Sequence, residues 1–125
     1  MEELGEAYGD RLQIMAFPCN QFGNQEPGTN AEIKAFAEKM RFRGRLFAKA
    51  NVNGPDAVAP WKFLEASAVG AGEDIQWNFA KFLVGRDGVP VKKYGAPFDA
   101  KTIERDVDAL LRQYEEADAA EEFHR

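Results

Sequence analysis

The alternation of apolar and polar positions along the first half of the chain predicts a strand followed by a helix. Residues 12–17 form a short apolar run closed by a proline, which is typical of a buried strand. A segment rich in Asn, Gly and Pro over residues 20–28 predicts a loop. Thr29 and Glu32 then form a capping box, and apolar residues at helical spacing predict an amphipathic helix over 30–41.

The second half predicts a short helix after Pro60, then a hairpin and a longer helix. Two apolar segments, 79–84 and 89–94, flank a turn containing Asp87-Gly88, which is a strong hairpin pattern. From Asp99 onward one helical face is apolar, with members Ile103, Val107, Leu110, Leu111 and Tyr114.

The two ends of the chain carry weaker patterns. Residues 1–8 fit the last part of a helix, whereas the charged segment after Glu115 is expected to fray, with residues 116–125 as a polar tail. The order of strand, helix, hairpin and helix predicts an α/β class with helices covering a mixed sheet. With 125 residues, the chain is expected to form a single domain over 1–125.

Composition and charge exclude several classes of function. Hydrophobic residues make up 45% of the chain, enough for a packed core. The net charge of −5 argues against nucleic-acid partners and against a polybasic membrane anchor. No apolar run approaches the ~20 residues of a membrane span, so stable membrane insertion is not expected.

The residues that usually carry nucleophilic chemistry are scarce. Cys19 is the one cysteine and His124 the one histidine, so an internal disulfide, a CxxC pair and a cysteine-rich zinc site are ruled out. Cys19 ends an apolar run with no basic neighbour in sequence, which favours a buried structural cysteine over a nucleophile. A one-cysteine thiol reductase acting through Cys19 stays open as a competing hypothesis.

Two long and unusual strings resemble the glutathione peroxidase family. They are FPCNQFGNQEPG at residues 17–28 and WNFAKFLV at residues 77–84, followed by Asp87-Gly88 and by VKKY at 91–94. The resemblance covers roughly residues 4–114 and is closest to the monomeric, phospholipid-hydroperoxide type. It implies a thioredoxin-like fold and an enzyme that reduces hydroperoxides through a selenocysteine or cysteine.

The resemblance assigns three catalytic residues to this chain. Gln25 matches the family's catalytic glutamine, and Trp77 and Asn78 match its tryptophan and asparagine. In isolation, Gln25 is typical of an exposed loop amide, and Trp77-Asn78 of a core tryptophan followed by a turn residue. Together their carboxamide and indole N–H groups are expected to stabilise the anionic nucleophile and the developing alkoxide.

The family's nucleophile lies upstream of the helix that is cut at Met1, so we expect this chain to lack both the N-terminal strand and the nucleophile loop. The chain alone is then expected to be poorly folded and inactive. One explanation is that the start of the protein was assigned to a methionine downstream of a selenocysteine UGA codon that was interpreted as a stop. An in-frame, family-like segment in the DNA upstream of Met1 would support this explanation. Any targeting signal would also precede Met1, so the compartment stays open, with the cytoplasm as the default.

The resemblance implies reduction of hydrogen peroxide and of organic or lipid hydroperoxides, in the response to oxidative stress. Glutathione or a similar thiol is the co-substrate, and no bound cofactor or metal is expected. The stretch 36–42 lacks the cysteine of thioredoxin-using members, which favours glutathione, whereas Gln76, in place of the usual lysine, weakens the case for membrane lipids. The alternative is a non-catalytic remnant that acts as an interaction or regulatory module.

Overall fold

The computed structural model describes residues 7–95 and 99–123 of the chain. The chain divides into two compact units, Met1–Asn78 and Phe79–Arg125. The described strands form two two-stranded sheets, one parallel and one antiparallel, so the predicted α/β class with both kinds of pairing is confirmed. The prediction of a single domain over 1–125 stays a prediction.

The first unit contains the parallel pair. β1 (Met15–Ala16) lies beside β2 (Arg45–Leu46), with Met15 opposite Arg45 and Ala16 opposite Leu46. The predicted strand at 12–17 is therefore in the right place but shorter at both ends, and Pro18 has no N–H with which to continue the ladder beyond residue 17. Gly44 permits the close approach of the two strands, since a Cβ there would lie 2.5 Å from the Ile14 carbonyl oxygen.

Two helices follow the predicted positions in this unit. α1 (Asn30–Lys39) begins at the capping box, where the Thr29 hydroxyl accepts the Glu32 N–H at 3.1 Å and donates to the Glu32 carboxylate. It ends two residues before the predicted end at 41, because Arg41 adopts a left-handed conformation with φ of 59°. α2 (Ala59–Ala66) is the short helix predicted after Pro60, but it begins one residue before that proline, which lies in its first turn.

Apolar and aromatic side chains hold the first unit together. The buried hydrophobic residues among its described part are Tyr8, Cys19, Phe22, Val52, Ala57 and Ile75. The Phe17 ring stacks on Phe47 at 4.3 Å between centroids and meets the edge of Trp61 at 5.9 Å. These contacts join the ends of β1 and β2 to α2. The loop that follows β1, residues 20–28, begins directly after this aromatic cluster.

The second unit contains the predicted hairpin and the long helix. β3 (Lys81–Val84) pairs with β4 (Pro90–Tyr94), with an irregular register between Leu83 and Val84. α3 (Ala100–Phe123) follows Asp99, whose carboxylate accepts the Lys101 N–H. Leu83 of β3 is buried, as are Ile103 and Val107 one turn apart on α3.

The expected fraying after Glu115 is wrong, because α3 continues to Phe123. Arg86, in the hairpin turn, makes two hydrogen bonds to the Asp118 carboxylate at 3.0 and 3.1 Å and lies 4.3 Å from the centre of the Tyr114 ring. Its backbone N–H also donates to the Tyr114 hydroxyl. The helix thus has tertiary partners in the segment that the charge pattern alone predicts to be loose.

At the other end of the chain, residues 7 and 8 are helical and lead into a 3-10 turn at Gly9–Arg11. The rest of the helix predicted at 1–8 lies outside the described residues, as do residues 124–125 of the predicted tail. No helix within the described ranges is both long and apolar enough to cross a membrane.

Candidate active site

A tight turn over residues 21–24 presents Gln25 at the surface of the first unit. The turn is anchored by the buried Phe22 ring, and the Gln25 N–H donates back to the Phe22 carbonyl oxygen at 3.4 Å. The Asn20 side chain spans the turn, since its Oδ1 accepts the Glu26 N–H at 2.8 Å. The loop that carries Gln25 is therefore held at both ends by its own polar side chains.

Asn78 reaches this loop from a segment far along the chain. Its Nδ2 donates to Gln25 Oε1 at 2.9 Å, across 53 positions of sequence, and to the Phe22 carbonyl oxygen at 3.5 Å. Asn78 is half-buried, whereas Gln25 is exposed. The two carboxamides predicted as site residues are thus in direct contact.

Trp77 packs beside the same turn. Its ring lies 5.9 Å from the Phe22 ring between centroids, tilted by 56°, and 46% of the residue is exposed. Gly23 lies next to the side chains of Trp77 and Gln25, because a Cβ built on it would be 3.1 Å from Trp77 Cη2 and 3.6 Å from Gln25 Nε2. All three predicted side chains therefore surround one turn of the first unit.

The three side chains differ in which N–H groups they leave open. Both contacts of Asn78 Nδ2 are made inside the cluster, to Gln25 and Phe22. Gln25 Nε2 and the Trp77 indole N–H have no hydrogen-bond partner among the described residues. Gln25 and Trp77 thus each keep one uncharged donor that no described residue engages, and the bond from Asn78 fixes the orientation of the Gln25 amide.

Cys19 is placed differently from the three predicted site residues. It is buried, 8% exposed, and its thiol donates to Gln21 Oε1 at 3.4 Å. The predicted burial of this cysteine is confirmed. His124 lies outside the described residues, and the part of the chain that is described holds no group of three His, Cys, Asp or Glu side chains able to bind a metal.

Sequence reasoning missed two carboxamides that bind the site's loops, Gln21 and Asn53. Gln21 Oε1 accepts the N–H groups of Val52 and Asn53, and Asn53 in turn makes two bonds to Ile75. Their only signal in the sequence is an Asn or Gln directly beside a buried apolar residue within a predicted loop. That pattern marks a loop without saying which segment the side chain will bind.

Comparisons with known proteins identify the family that the chain resembles. A sequence model described as glutathione peroxidase matches residues 1–65. The chain is 48% identical over 103 residues to a phospholipid hydroperoxide glutathione peroxidase of Bos taurus, covering 80% of this chain and 52% of that protein. It is 44% identical over 114 residues to glutathione peroxidase 2 of Caenorhabditis elegans, covering 89% and 70%.

A solved structure, that of GPX1 from T. cruzi, matches with a TM-score of 0.67 and 28% identity, covering 88% of this chain and 67% of that one. Fold and site together define a thioredoxin-like α/β protein in which two carboxamides and an indole surround one turn. The chain belongs to the glutathione peroxidase family. It spans about half the length of several of the curated relatives that it matches.

Proposed function

We propose that the protein acts as a glutathione peroxidase, reducing hydrogen peroxide and organic or lipid hydroperoxides with glutathione or another small thiol. The observation that carries the proposal is the 2.9 Å hydrogen bond between Asn78 and Gln25, with Trp77 beside the same turn. Three residues that would be unremarkable apart are held together, and two of their N–H donors remain open to a ligand.

The chemistry that these donors suit is attack of an anionic nucleophile on a peroxide. A thiolate or selenolate attacks one oxygen of R–O–O–H, the O–O bond breaks, and the alcohol leaves once its alkoxide is protonated. The nucleophile is oxidised to a sulfenic or selenenic acid, and two thiols return it to the reduced form with release of water and a disulfide. Gln25 Nε2 and the Trp77 N–H stabilise the anion without adding a competing cation.

The nucleophile itself is assigned to a cysteine or selenocysteine outside these 125 residues. Cys19 is the one cysteine of the sequence, and its thiol is buried against Gln21. We therefore expect the 125-residue chain by itself to reduce peroxide no faster than free thiol does. No prosthetic group or metal is required by this chemistry, and we propose a single-domain monomer with small-molecule partners.

Glutathione is proposed as the reductant because residues 36–42 hold no cysteine that could act as a resolving thiol. The names of several relatives specify phospholipid hydroperoxides. Since Gln76 and the acidic balance of the chain do not supply the positive charge that an anionic membrane attracts, soluble organic peroxides are the better expected substrates.

The test compares the 125-residue chain with the longest in-frame product of its gene, any in-frame UGA codon being replaced by a cysteine codon. We expect peroxide-dependent oxidation of glutathione by the longer product. Gln25→Ala or Trp77→Phe should lower its rate constant with peroxide about 100-fold, the usual loss for one donor at a developing anion. Gln76→Ala is the matched control, because the Gln76 side chain bonds only to the nearby Asp74 carbonyl oxygen.

Two outcomes would contradict the proposal. A longer product that turns over peroxide no better than free thiol would favour the non-catalytic interaction module. Activity of the 125-residue chain that disappears in Cys19→Ser would instead favour the one-cysteine thiol reductase.

A further inference from the structure

The side chains of Gln21, Gln25, Asn53 and Asn78 link three loops of the first unit by hydrogen bonds. With the short backbone segments between them, these bonds form a closed ring that includes the candidate active site. Gln25 bonds to Asn78 directly, and the chain runs from Asn78 back to Ile75. The Asn53 side chain holds Ile75, and the Gln21 side chain holds the backbone of Asn53. Three residues of the tight turn, 22–24, then connect Gln21 to Gln25, so the two residues of the Gln25–Asn78 contact are also linked to each other through Gln21, Asn53 and Ile75.

The Asn53 side chain bonds to the backbone of Ile75 in the way that a neighbouring strand would. Asn53 Nδ2 donates to the Ile75 carbonyl oxygen at 2.8 Å, and Asn53 Oδ1 accepts the Ile75 N–H at 2.8 Å. Ile75 is only 4% exposed, so both of its backbone groups need a protein partner. Trp77 follows two residues later, which means that one side chain fixes the start of the segment carrying two site residues.

The Gln21 link is equally specific. Gln21 Oε1 accepts the N–H groups of Val52 at 2.8 Å and Asn53 at 3.1 Å, while its Nε2 donates to the Asn53 carbonyl oxygen at 3.0 Å. Val52 is 2% exposed, so this bond also satisfies a buried backbone group. Gln21 therefore fixes the loop that holds Asn53, while lying in the turn that presents Gln25.

From this ring we infer that Gln21 and Asn53 are positioning residues of the peroxidase site, setting where Trp77 and Asn78 lie relative to Gln25. The inference rests on the proposed function for its catalytic consequence, although the geometric part stands without it. Neither residue is expected to touch substrate. They act by holding donors where the anion needs them, and a displacement of about 1 Å in such a group can cost about 100-fold in rate.

The test uses two substitutions that change single atoms. Asn53→Asp keeps an acceptor for the Ile75 N–H but faces the Ile75 carbonyl oxygen with no donor. Gln21→Glu keeps its acceptor contacts and loses the donor to the Asn53 carbonyl oxygen. The controls add the same charge to other carboxamides of the first unit. They are Asn51→Asp, whose side chain makes no hydrogen bond to described residues, and Gln13→Glu, whose side chain bonds only to the neighbouring Ile14.

Two readouts are expected to move in the test variants and not in the controls. In the active longer product, the rate constant with peroxide should fall about 10- to 100-fold. The pH midpoint for alkylation of the nucleophile by iodoacetamide should also rise, because its anion loses aligned donors. In the same longer product carrying Trp61→Phe, Trp77 emission and the Asn78 side-chain amide signal should both shift.

The outcomes separate this inference from the proposed function. Should the wild-type protein have no peroxidase activity, the proposed function fails, and Trp77 emission with the Asn78 signal still decides the positioning role. A lower melting temperature with unchanged alkylation midpoint, emission and Asn78 signal would overturn the inference, since Gln21 and Asn53 would then be structural only. If Asn53→Asp does not fold, Gln21→Glu decides by the same readouts.

Discussion

Gly23 lies where the turn that presents Gln25 meets the Trp77 ring. Its φ of 63° is in the left-handed region, which side chains with a Cβ adopt at a cost. A Cβ there would also lie 3.1 Å from Trp77 Cη2, tighter than ordinary contact. The glycine is thus required twice, by the backbone and by the indole.

Gly23→Ala is expected to destabilise the protein by roughly 1–2 kcal/mol for the backbone alone, and to displace Trp77 as well. Gly54→Ala is the matched control, because Gly54 has a φ of 83° and nothing within 4 Å of its Cβ position. Urea unfolding measures the stability of each variant, and Trp77 emission in a Trp61→Phe background measures the displacement. Equal emission from both glycine variants would contradict the role of Gly23 at the indole.

Some residues of the site can be predicted from the sequence and others cannot. The identities of Gln25, Trp77 and Asn78 came from the resemblance to a family, since an exposed loop amide carries no periodic signal of its own. Gln21 and Asn53 could not be predicted, because a side chain's choice of a backbone partner in another loop depends on tertiary packing. Burial of Cys19, by contrast, followed from its position at the end of an apolar run.

At the scale of elements, helices with local signals were predicted well and the parallel strands poorly. α1 begins where its capping box predicts, and the hairpin has the turn that its glycines predict. β2 was not predicted at all, because Arg45–Leu46 forms a strand only through its pairing with β1, and the apolar run at 46–48 is just three residues long. The end of α3 was misjudged because its partners, Arg86 above all, lie in another element.

The capping box of α1 gives a prediction for one element. Thr29→Ala removes the acceptor for the Glu32 N–H, and we expect a loss of about 1 kcal/mol in the free energy of unfolding. Thr29→Ser keeps the oxygen and should lose far less. Urea unfolding of the two variants beside the wild type checks this, and equal losses would show that the methyl group, not the hydrogen bond, matters.

At the scale of the whole molecule, Lys81 makes an unusual contribution to the pH dependence of stability. Burial lowers the pKa of the Lys81 amine from 10.5 to about 8. Between these two values the unfolded chain binds more protons than the folded protein, so the contribution of Lys81 to stability rises as the pH rises from 8 to 10.5. Below pH 8 the charge of this half-buried amine, which donates to the Phe79 carbonyl oxygen at 2.6 Å, opposes folding.

We expect Lys81→Arg to remove this rise, because a guanidinium stays protonated throughout the window. The free energy of unfolding of wild type minus variant should increase with pH above about 8, and the Lys81 ¹³Cε signal should titrate near the same value. Comparing the two proteins cancels the other titrating groups they share. A Lys81 midpoint near 10.5 would contradict the prediction.

Asn53 has a consequence for how order is distributed in the first unit. Ile75 belongs to no helix or strand, yet both of its peptide groups are bonded as fully as those of a residue within a sheet. Its amide hydrogen should therefore exchange with deuterated solvent slowly, as the amides of a strand do. The amides of Asp74 and Gln76 have no acceptor among the described residues and should exchange faster. This protection comes from one side chain, the Asn53 carboxamide. The local order of the loop at Ile75 therefore depends on a side-chain group and not on backbone pairing.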